Sequence, residues 1–482
     1  MDKFRPNYHF TPEQNWMNDP NGMVFFNGEY HLFYQHHPEG STWGPMHWGH
    51  AISSDMVNFE HRPIALYPDE NGTIFSGSAV VDWEDTTGFF GGKPGLVAIF
   101  THHDTVPGTD LVRERQSLAY SVDSGRSWIK YRDNPVLESD RFVDFRDPKV
   151  FWHPDTKRWI MILASGQSVC LYHSSNLKEW TFSSEFGQGN GSHAGVWECP
   201  DLFPLPVNGD PSHTKWVMIV SVGGGPDHIE GSRTQYFIGE FDGCSFVNDN
   251  PSDTVLWLDH GRDNYAGVCW SDIPEEDGRR IFLAWMSNGK YANVTPTVGW
   301  RSAMTIPRTL SLEFLYGQVR LIQKPIQELQ RIRTPILSLE NTSLEEAQLF
   351  LSGLELDSFE LIAEFVPVIT EDFAIKVRKS DSQQTVIGYK GIENEIFVDR
   401  TLSGIIDFQE GFAGTHAVKL MTQNELIKLH IFVDRSSVEV FVNDGIAVIT
   451  DLIFPEPEST GLGLHASQDG IQLQRFEIFK LS

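Results

Sequence analysis

The sequence predicts an all-β protein, a five-bladed β-propeller followed by a C-terminal β-sandwich. Three observations carry this expectation. Aromatic residues are abundant, with 33 Phe, 14 Trp and 12 Tyr alongside 41 Gly and 26 Pro. Aromatics favour pleated, half-buried surfaces while Gly and Pro punctuate turns, so many short strands are expected. A unit made of a polar or small-residue turn followed by two apolar β-type runs recurs near residues 19, 77, 147, 199 and 265. From about residue 334 that unit stops and evenly spaced alternating strands take over.

Taken in order, the first unit opens on Asn18-Asp19-Pro20-Asn21-Gly22 and continues through residues 23–35. The second opens on Phe75-Ser76-Gly77-Ser78 and continues through 79–100. The third follows Arg146-Asp147-Pro148, the fourth Glu198-Cys199-Pro200-Asp201, and the fifth Asn264-Tyr265-Ala266-Gly267. Residues 47–63, 117–131 and 170–182 each supply a strand, a tight turn and an aromatic, which makes about four strands per unit. One such unit cannot bury its own faces, whereas radial stacking of five can. Helical periodicity is weak, and the one convincing amphipathic stretch, Lys324 to Arg333, follows the last unit. Beyond it, residues 359–368, 373–379, 384–390, 395–400, 427–454 and 471–479 read as strands of a sandwich. A polar turn lies between Phe432 and Phe441, and a second turn at Asn443-Asp444-Gly445. The chain divides into a propeller of residues 1–334 and a sandwich of residues 335–482.

Charge and composition narrow the partners. Asp and Glu number 65 against 37 Lys and Arg, a net charge of −28. Nucleic acid and anionic membrane both demand a basic footprint, so neither is expected, and a neutral small or polymeric substrate is. No apolar run approaches the ~18 residues that span a bilayer. The first residues lack the apolar core of a secretory signal, which predicts a cytoplasmic chain as written, the alternative being a secreted chain whose signal has been removed. Cys170, Cys199, Cys244 and Cys269 are too widely spaced for a zinc site or a disulfide framework.

In a propeller the innermost strand of each blade ends at the mouth of the central channel, so polar groups at the anchors can converge there. Three anchors carry a carboxylate at nearly equivalent positions: Asp19, Asp147 and Glu198. Two acids flanking a glycosidic bond are the minimum apparatus for hydrolysing it, and a third can stabilise positive charge on the sugar ring. Arg146 adjoins Asp147, but neighbours on a regular strand point to opposite faces, so no direct pairing is assumed. Taken singly, Asp-Pro and Asn-Gly are turn formers first and catalytic groups second.

Residues 16–22 (from Trp16 to Gly22), Phe75-Ser76-Gly77-Ser78, Phe145-Arg146-Asp147-Pro148-Lys149 and Trp197-Glu198-Cys199-Pro200-Asp201 resemble, in order, four signature segments of glycoside hydrolase family 32, the β-fructofuranosidases. The resemblance extends through Ala284-Trp285-Met286-Ser287-Asn288 to the hairpin from Phe432 to Phe441. It implies a five-bladed propeller with a β-sandwich, Asp19 as nucleophile, Glu198 as general acid/base and Asp147 as transition-state stabiliser. It also implies a fructose-binding shell of Asn18, Gln35, Trp43, Ser76, Arg146 and Trp285, with Trp16 and Phe75 counted alongside. The implied reaction is retaining double displacement at terminal β-D-fructofuranosyl residues of levan, inulin, fructo-oligosaccharides or sucrose. Acting as the acid requires a proton on Glu198, which repulsion from Asp19 and Asp147 would favour. The segments at residues 43–50, 65–69 and 72–76 are most similar to exo-acting fructanases of the levanase and exo-inulinase type.

Alternatives stay open at this stage. A fructosyltransferase would use the same covalent intermediate with a sugar acceptor in place of water, and a non-catalytic propeller would bind sugar without turnover. Ser121 to Trp128 resembles the Asp-box of sialidases, which is a structural turn and supports the propeller more than that substrate. His36, His37, His47 and His50 bring no carboxylate-bearing metal pattern with them, so neither a metal nor another cofactor is expected. Whether the chain forms a homo-oligomer is not decided by sequence.

Overall fold

Each of the five recurring units folds as one antiparallel blade in the computed structural model of the chain, which describes residues 2–142, 144–224, 230–368, 370–421, 426–467 and 471–482. The innermost strands are Asn15–Phe26, Thr73–Asp82, Phe145–His153, Trp197–Val207 and Tyr265–Cys269. All five anchors lie on them. The ring closes where Trp300 and Arg301 pair in parallel with Asn15 and Trp16 of the first blade. Apolar seams fill the space between neighbouring blades: Phe33 and Trp48 meet Phe100, Ile99 and Leu118 meet Leu163, Ile162 meets Val220, and Ile219 meets Phe282. Burying such side chains contributes roughly 1.5–3 kcal/mol each.

The anchors are not turns ahead of the strands, as the sequence reading had them. They are β-bulges within the strands. In the first blade the pairing steps from Met17 opposite His36 to Pro20 opposite Tyr34, so the inner strand carries one extra residue. The same step occurs between Ile74 and Gly77, Arg146 and Lys149, Glu198 and Asp201, and Tyr265 and Val268. In the last three blades the residue after the first of each pair has positive φ: Asp147 at 63°, Cys199 at 45° and Ala266 at 55°. A bulge bends its strand and re-aims side chains, which explains the polar, Gly- and Pro-rich signature. Aligned on the bulge, Glu198, Asp147 and Asp19 occupy its first, second and third places in their blades, successive positions where equivalent ones had been expected.

The sandwich pairs two sheets. One runs in the order Arg333–Ser343, Gln472–Leu481, Phe359–Phe365, Ile427–Asp434, Ser437–Val442, Ala447–Leu452. The other runs Thr415–Lys419, Glu395–Leu402, Gln384–Lys390, Phe373–Lys379, Gly461–Ala466. Residue 334 is the second residue of the first of these strands. The sandwich packs on the seam between the fifth and first blades, where Phe432 and Phe441 meet Met17, Trp270 and Ile306. Lys324 to Arg333 forms no α-helix. Lys324 and Pro325 complete strand Gln318–Pro325, and only Gln327–Ile332 coils, as a 3-10 turn. Pro325 lacks an N–H and biases its predecessor to extended backbone, which ends the helical option there. The α-helix Leu344–Leu351 is instead opened by a capping box, Ser343 accepting from the Glu346 amide while Glu346 reaches back to the Ser343 amide.

Candidate active site

The bulges of all five blades face one cavity of about 500 Å³ at the channel mouth. Every residue singled out from the sequence lines it: Asp19, Asp147 and Glu198 with Trp16, Asn18, Gln35, Trp43, Phe75, Ser76, Arg146 and Trp285. Consecutive residues such as Asn18 and Asp19, Phe75 and Ser76, or Arg146 and Asp147 share the cavity because the bulge breaks strict alternation. Gly77 makes the second bulge possible: a Cβ there would lie 2.1 Å from the carbonyl oxygen of Ile99.

Asp19 is oriented by two donors. Ser76 Oγ donates to Oδ2 at 2.6 Å, and Asn18 Nδ2 donates to Oδ1 at 3.0 Å, while Trp16 Nε1 in turn donates to Asn18 Oδ1 at 2.7 Å. Burial pushes the Asp19 carboxyl up, the Ser76 and Asn18 hydrogen bonds pull it back, and the charge of Glu198 adds to the rise. The buried thiol of Cys199 stands 3.5 Å from Asp19 Oδ2.

Asp147 accepts the Cys199 amide on Oδ2 at 3.1 Å, and its own amide donates to Thr101 Oγ1 at 3.1 Å. Its carboxyl is pushed up to about 8, chiefly by burial, against the pull of Arg146 and with the added repulsion of Glu198 and Asp19. The like-charge repulsion expected of this cluster is thus expressed at both Asp147 and Asp19.

Glu198 is held from both sides. Arg146 donates to Oε1 from Nε at 3.2 Å and from Nη2 at 3.1 Å, and the Tyr265 hydroxyl donates to Oε2. Among the described residues Arg146 is the one Lys or Arg side chain lining the cavity, and it is itself fixed by Glu114 and by Asp144, the latter at 2.8 Å. It lies 4.0 Å from Asp147 Oδ2, so its hydrogen bonds go to Glu198, Glu114 and Asp144 and not to its neighbour in sequence.

Aromatic faces build the remaining wall. Trp16, Tyr265 and Trp285 pack with Met46 and Cys199 as the floor. Phe75 stacks on His103 with centroids 4.0 Å apart, and Trp43, 53% exposed, meets Phe75 edge-on at the rim. The Trp285 indole N–H is buried and has no hydrogen-bond partner among the described residues. Gln35 donates to the Ile74 carbonyl at 3.0 Å, and Asn293 Oδ1 fixes the Trp43 amide at 2.8 Å. The histidines near this wall serve packing: His36 bonds the Trp16 carbonyl at 2.7 Å, and His50 bonds His31 at 3.1 Å.

Sequence reasoning missed Tyr265, Glu114 and Asp144. Tyr265 had a signal, since it stands at the fifth anchor at the same bulge place as Glu198 and Arg146. Glu114 and Asp144 lie outside any anchor and carry none.

The profile for the glycosyl hydrolases family 32 N-terminal domain matches residues 9–325, and that for the family 32 C terminal matches residues 328–480. The chain is 53% identical over 483 residues to a levanase of Bacillus subtilis strain 168, covering 99% of this chain and 70% of that protein. Among solved structures, an exo-inulinase from Aspergillus awamori superimposes with a TM-score of 0.88 at 37% identity, over 99% of this chain and 98% of that one. A fructofuranosidase from Schwanniomyces occidentalis complexed with fructosylnystose gives 0.87 at 30% identity, over 100% and 98%.

Proposed function

Because this chain belongs to glycosyl hydrolase family 32, a family of glycosidases acting on fructosides, we propose that it releases terminal β-D-fructofuranosyl units from levan, inulin and sucrose by retaining double displacement. The observation that carries this reading is the convergence of three carboxylates from three blades on one pocket with an aromatic floor. A floor of Trp16, Met46 and Trp285 beneath the pocket suits a terminal sugar unit, and the exo-inulinases among the relatives support exo attack.

In this mechanism Asp19 attacks the anomeric carbon, its lone pair directed by Ser76 and Asn18. Glu198, positioned by Arg146 and Tyr265, gives its proton to the leaving oxygen and later takes one from the incoming water. Asp147, a buried acid on the same pocket, binds sugar hydroxyls and, in its ionised form, meets the positive charge that develops in the transition state. Transfer to a sugar acceptor shares every step except the last.

The test is product analysis by NMR on levan, inulin and sucrose, begun early enough to see the first anomer. Initial β-fructofuranose from chain ends supports the reading, and the relative rates on β-2,6 and β-2,1 chains decide between levan and inulin. Absence of fructose from all three substrates returns the chain to a sugar-binding propeller.

A further inference from the structure

A second cavity, of about 690 Å³, opens at the other end of the inner strands. In the third blade Arg146 and Asp147 line the catalytic pocket, whereas Lys149 and Phe151 to His153 line this cavity. At about 3.3 Å per residue, His153 lies roughly 20 Å along the strand from Asp147. The second blade repeats the division, with Ser76 at one mouth and Val80 to Asp82 at the other, as does the fourth, with Glu198 at one and Asp201 to Pro204 at the other.

The distribution of tryptophan marks this mouth. Of the 14 in the chain, three are exposed: Trp43 at 53%, Trp83 at 54% and Trp152 at 40%. Trp43 rims the catalytic pocket, and both others line the second cavity. Two exposed indoles at one cavity signal recognition more than the scatter of single apolar groups found on any surface. Both are held in place. The Trp83 indole N–H donates to Asp272 Oδ1 at 2.8 Å. Trp152 meets Trp159 edge-on at 5.2 Å, and the Trp159 N–H is fixed by Thr86 Oγ1 at 2.9 Å.

Exposed Glu84 and Asp155 bring acceptors to the same cavity, and Arg280 brings donors. Carboxylates outnumber cations in the lining, which disfavours a polyanion. Fixed aromatic faces flanked by hydroxyl-binding groups suit a neutral polyhydroxylated chain. We infer that this cavity is a second, non-catalytic binding site for a fructan chain, which holds the polymer to the enzyme while its ends are cut at the opposite mouth. This inference rests on the fructan reading of the catalytic pocket. Tethering raises the local concentration of chain ends, so its effect falls on long substrates and not on sucrose.

The experiment has two parts. The Asp19→Asn chain, with and without Trp83→Ala and Trp152→Ala, is run through native gels containing high-molar-mass levan, inulin or polylysine. In parallel, kinetics on levan, inulin and sucrose are measured with Asp19 intact. The expected result is retardation by fructan that the alanine pair largely removes. In the kinetics the same pair raises KM for the polymer three- to tenfold while kcat/KM for sucrose stays within twofold. Equal retardation and equal polymer KM with and without the two tryptophans overturns the inference, as does retardation by polylysine alone. Should the alanine pair also damage sucrose turnover, Trp83→Tyr with Trp152→Tyr decides by the ratio of polymer to sucrose kcat/KM: a ratio restored towards the parent supports the site, and a ratio identical to that of the alanine pair overturns it. An unsubstituted chain that releases no fructose from any fructan defeats the catalytic reading instead, so the two failures are distinguishable.

Discussion

The three acids do different work because their surroundings differ. Asp19 accepts side-chain hydrogen bonds from Ser76, Asn18 and the Cys199 thiol, Glu198 is clasped by a guanidinium and a phenol, and buried Asp147 accepts the Cys199 main-chain N–H. Asp19→Asn and Glu198→Gln are therefore each expected to lower kcat on sucrose by 10²-fold or more, measured as released reducing sugar. Tyr265→Phe keeps the ring in the floor and removes one hydrogen bond to Glu198. Its expected signature is a fall of roughly tenfold or more in kcat with KM and Tm little changed; a loss confined to KM would mean that Tyr265 binds sugar and does not position Glu198. Burial holds the Asp147 carboxyl up at about 8, so the native state keeps its proton longer than the unfolded chain does. That contribution to stability is full below the unfolded pKa and lost as pH rises through about 8. Asp147→Asn is accordingly expected to abolish turnover while raising Tm relative to the parent at pH 9, with little difference at pH 4, in a melting series against pH. Each acid was legible in the sequence because it lies inside a motif. Glu114, which bears on Glu198 only through Arg146, was not, since a partner brought from another strand of the second blade leaves no local pattern.

At the level of elements, the bulge explains why the repeat could be read and also why it was misread. A polar, Gly- or Pro-bearing segment just ahead of an apolar run is what a turn looks like, and the same composition serves a bulge that needs positive φ at Cys199 or a missing side chain at Gly77. The number and order of blades followed from recurrence alone, but only the pairing register shows that all five inner strands carry the same one-residue insertion. Gly77→Ala tests the device. With the new Cβ 2.1 Å from a main-chain oxygen, the bulge must shift and take Ser76 away from Asp19. A loss of roughly 2–4 kcal/mol in urea unfolding is expected, together with a fall in kcat close to that of Ser76→Ala; stability lost with kcat preserved would show that Ser76 does not depend on the bulge. The misassigned stretch from Lys324 to Arg333 has a related cause. Amphipathic spacing was present, as buried Leu329 shows, but Pro325 and strand pairing with the fifth blade took its first residues.

Across the whole molecule, propeller and sandwich are joined by charge as well as by apolar packing. His9, ahead of the first blade, lies buried between Asp434 at 2.8 Å and Glu439 at 2.9 Å, both on the sandwich hairpin. Glu439 also accepts from Arg308 of the fifth blade at 2.6 Å, and Arg308 bonds Asp259 at 3.1 Å. A parallel link runs from Arg400 of the sandwich to Asp263 at 2.8 Å. Such networks are strongly coupled: removing one member strands the others and costs about 3–5 kcal/mol. Burial opposes a charge on His9, yet the hydrogen bonds and charges of Asp434 and Glu439 outweigh it and push its pKa up to about 9. Its stabilising contribution is complete below the unfolded value near 6.5 and is lost as pH rises through about 9. Across that interval the shift corresponds to about 3 kcal/mol. Asp434 and Glu439 are held below the usual carboxylate range despite burial, so their contribution is present above that range and lost on acidification. The junction is thus expected to be tightest between about pH 5 and pH 7. Melting curves from pH 6 to pH 10 test this in the Asp147→Asn background, where the upward-shifted Asp147 carboxyl is absent. The parent His9 chain should lose Tm steadily across the series, and His9→Gln should start lower and change little. Equal slopes for the two chains would place the alkaline loss elsewhere and remove His9 as the charged keystone of the junction.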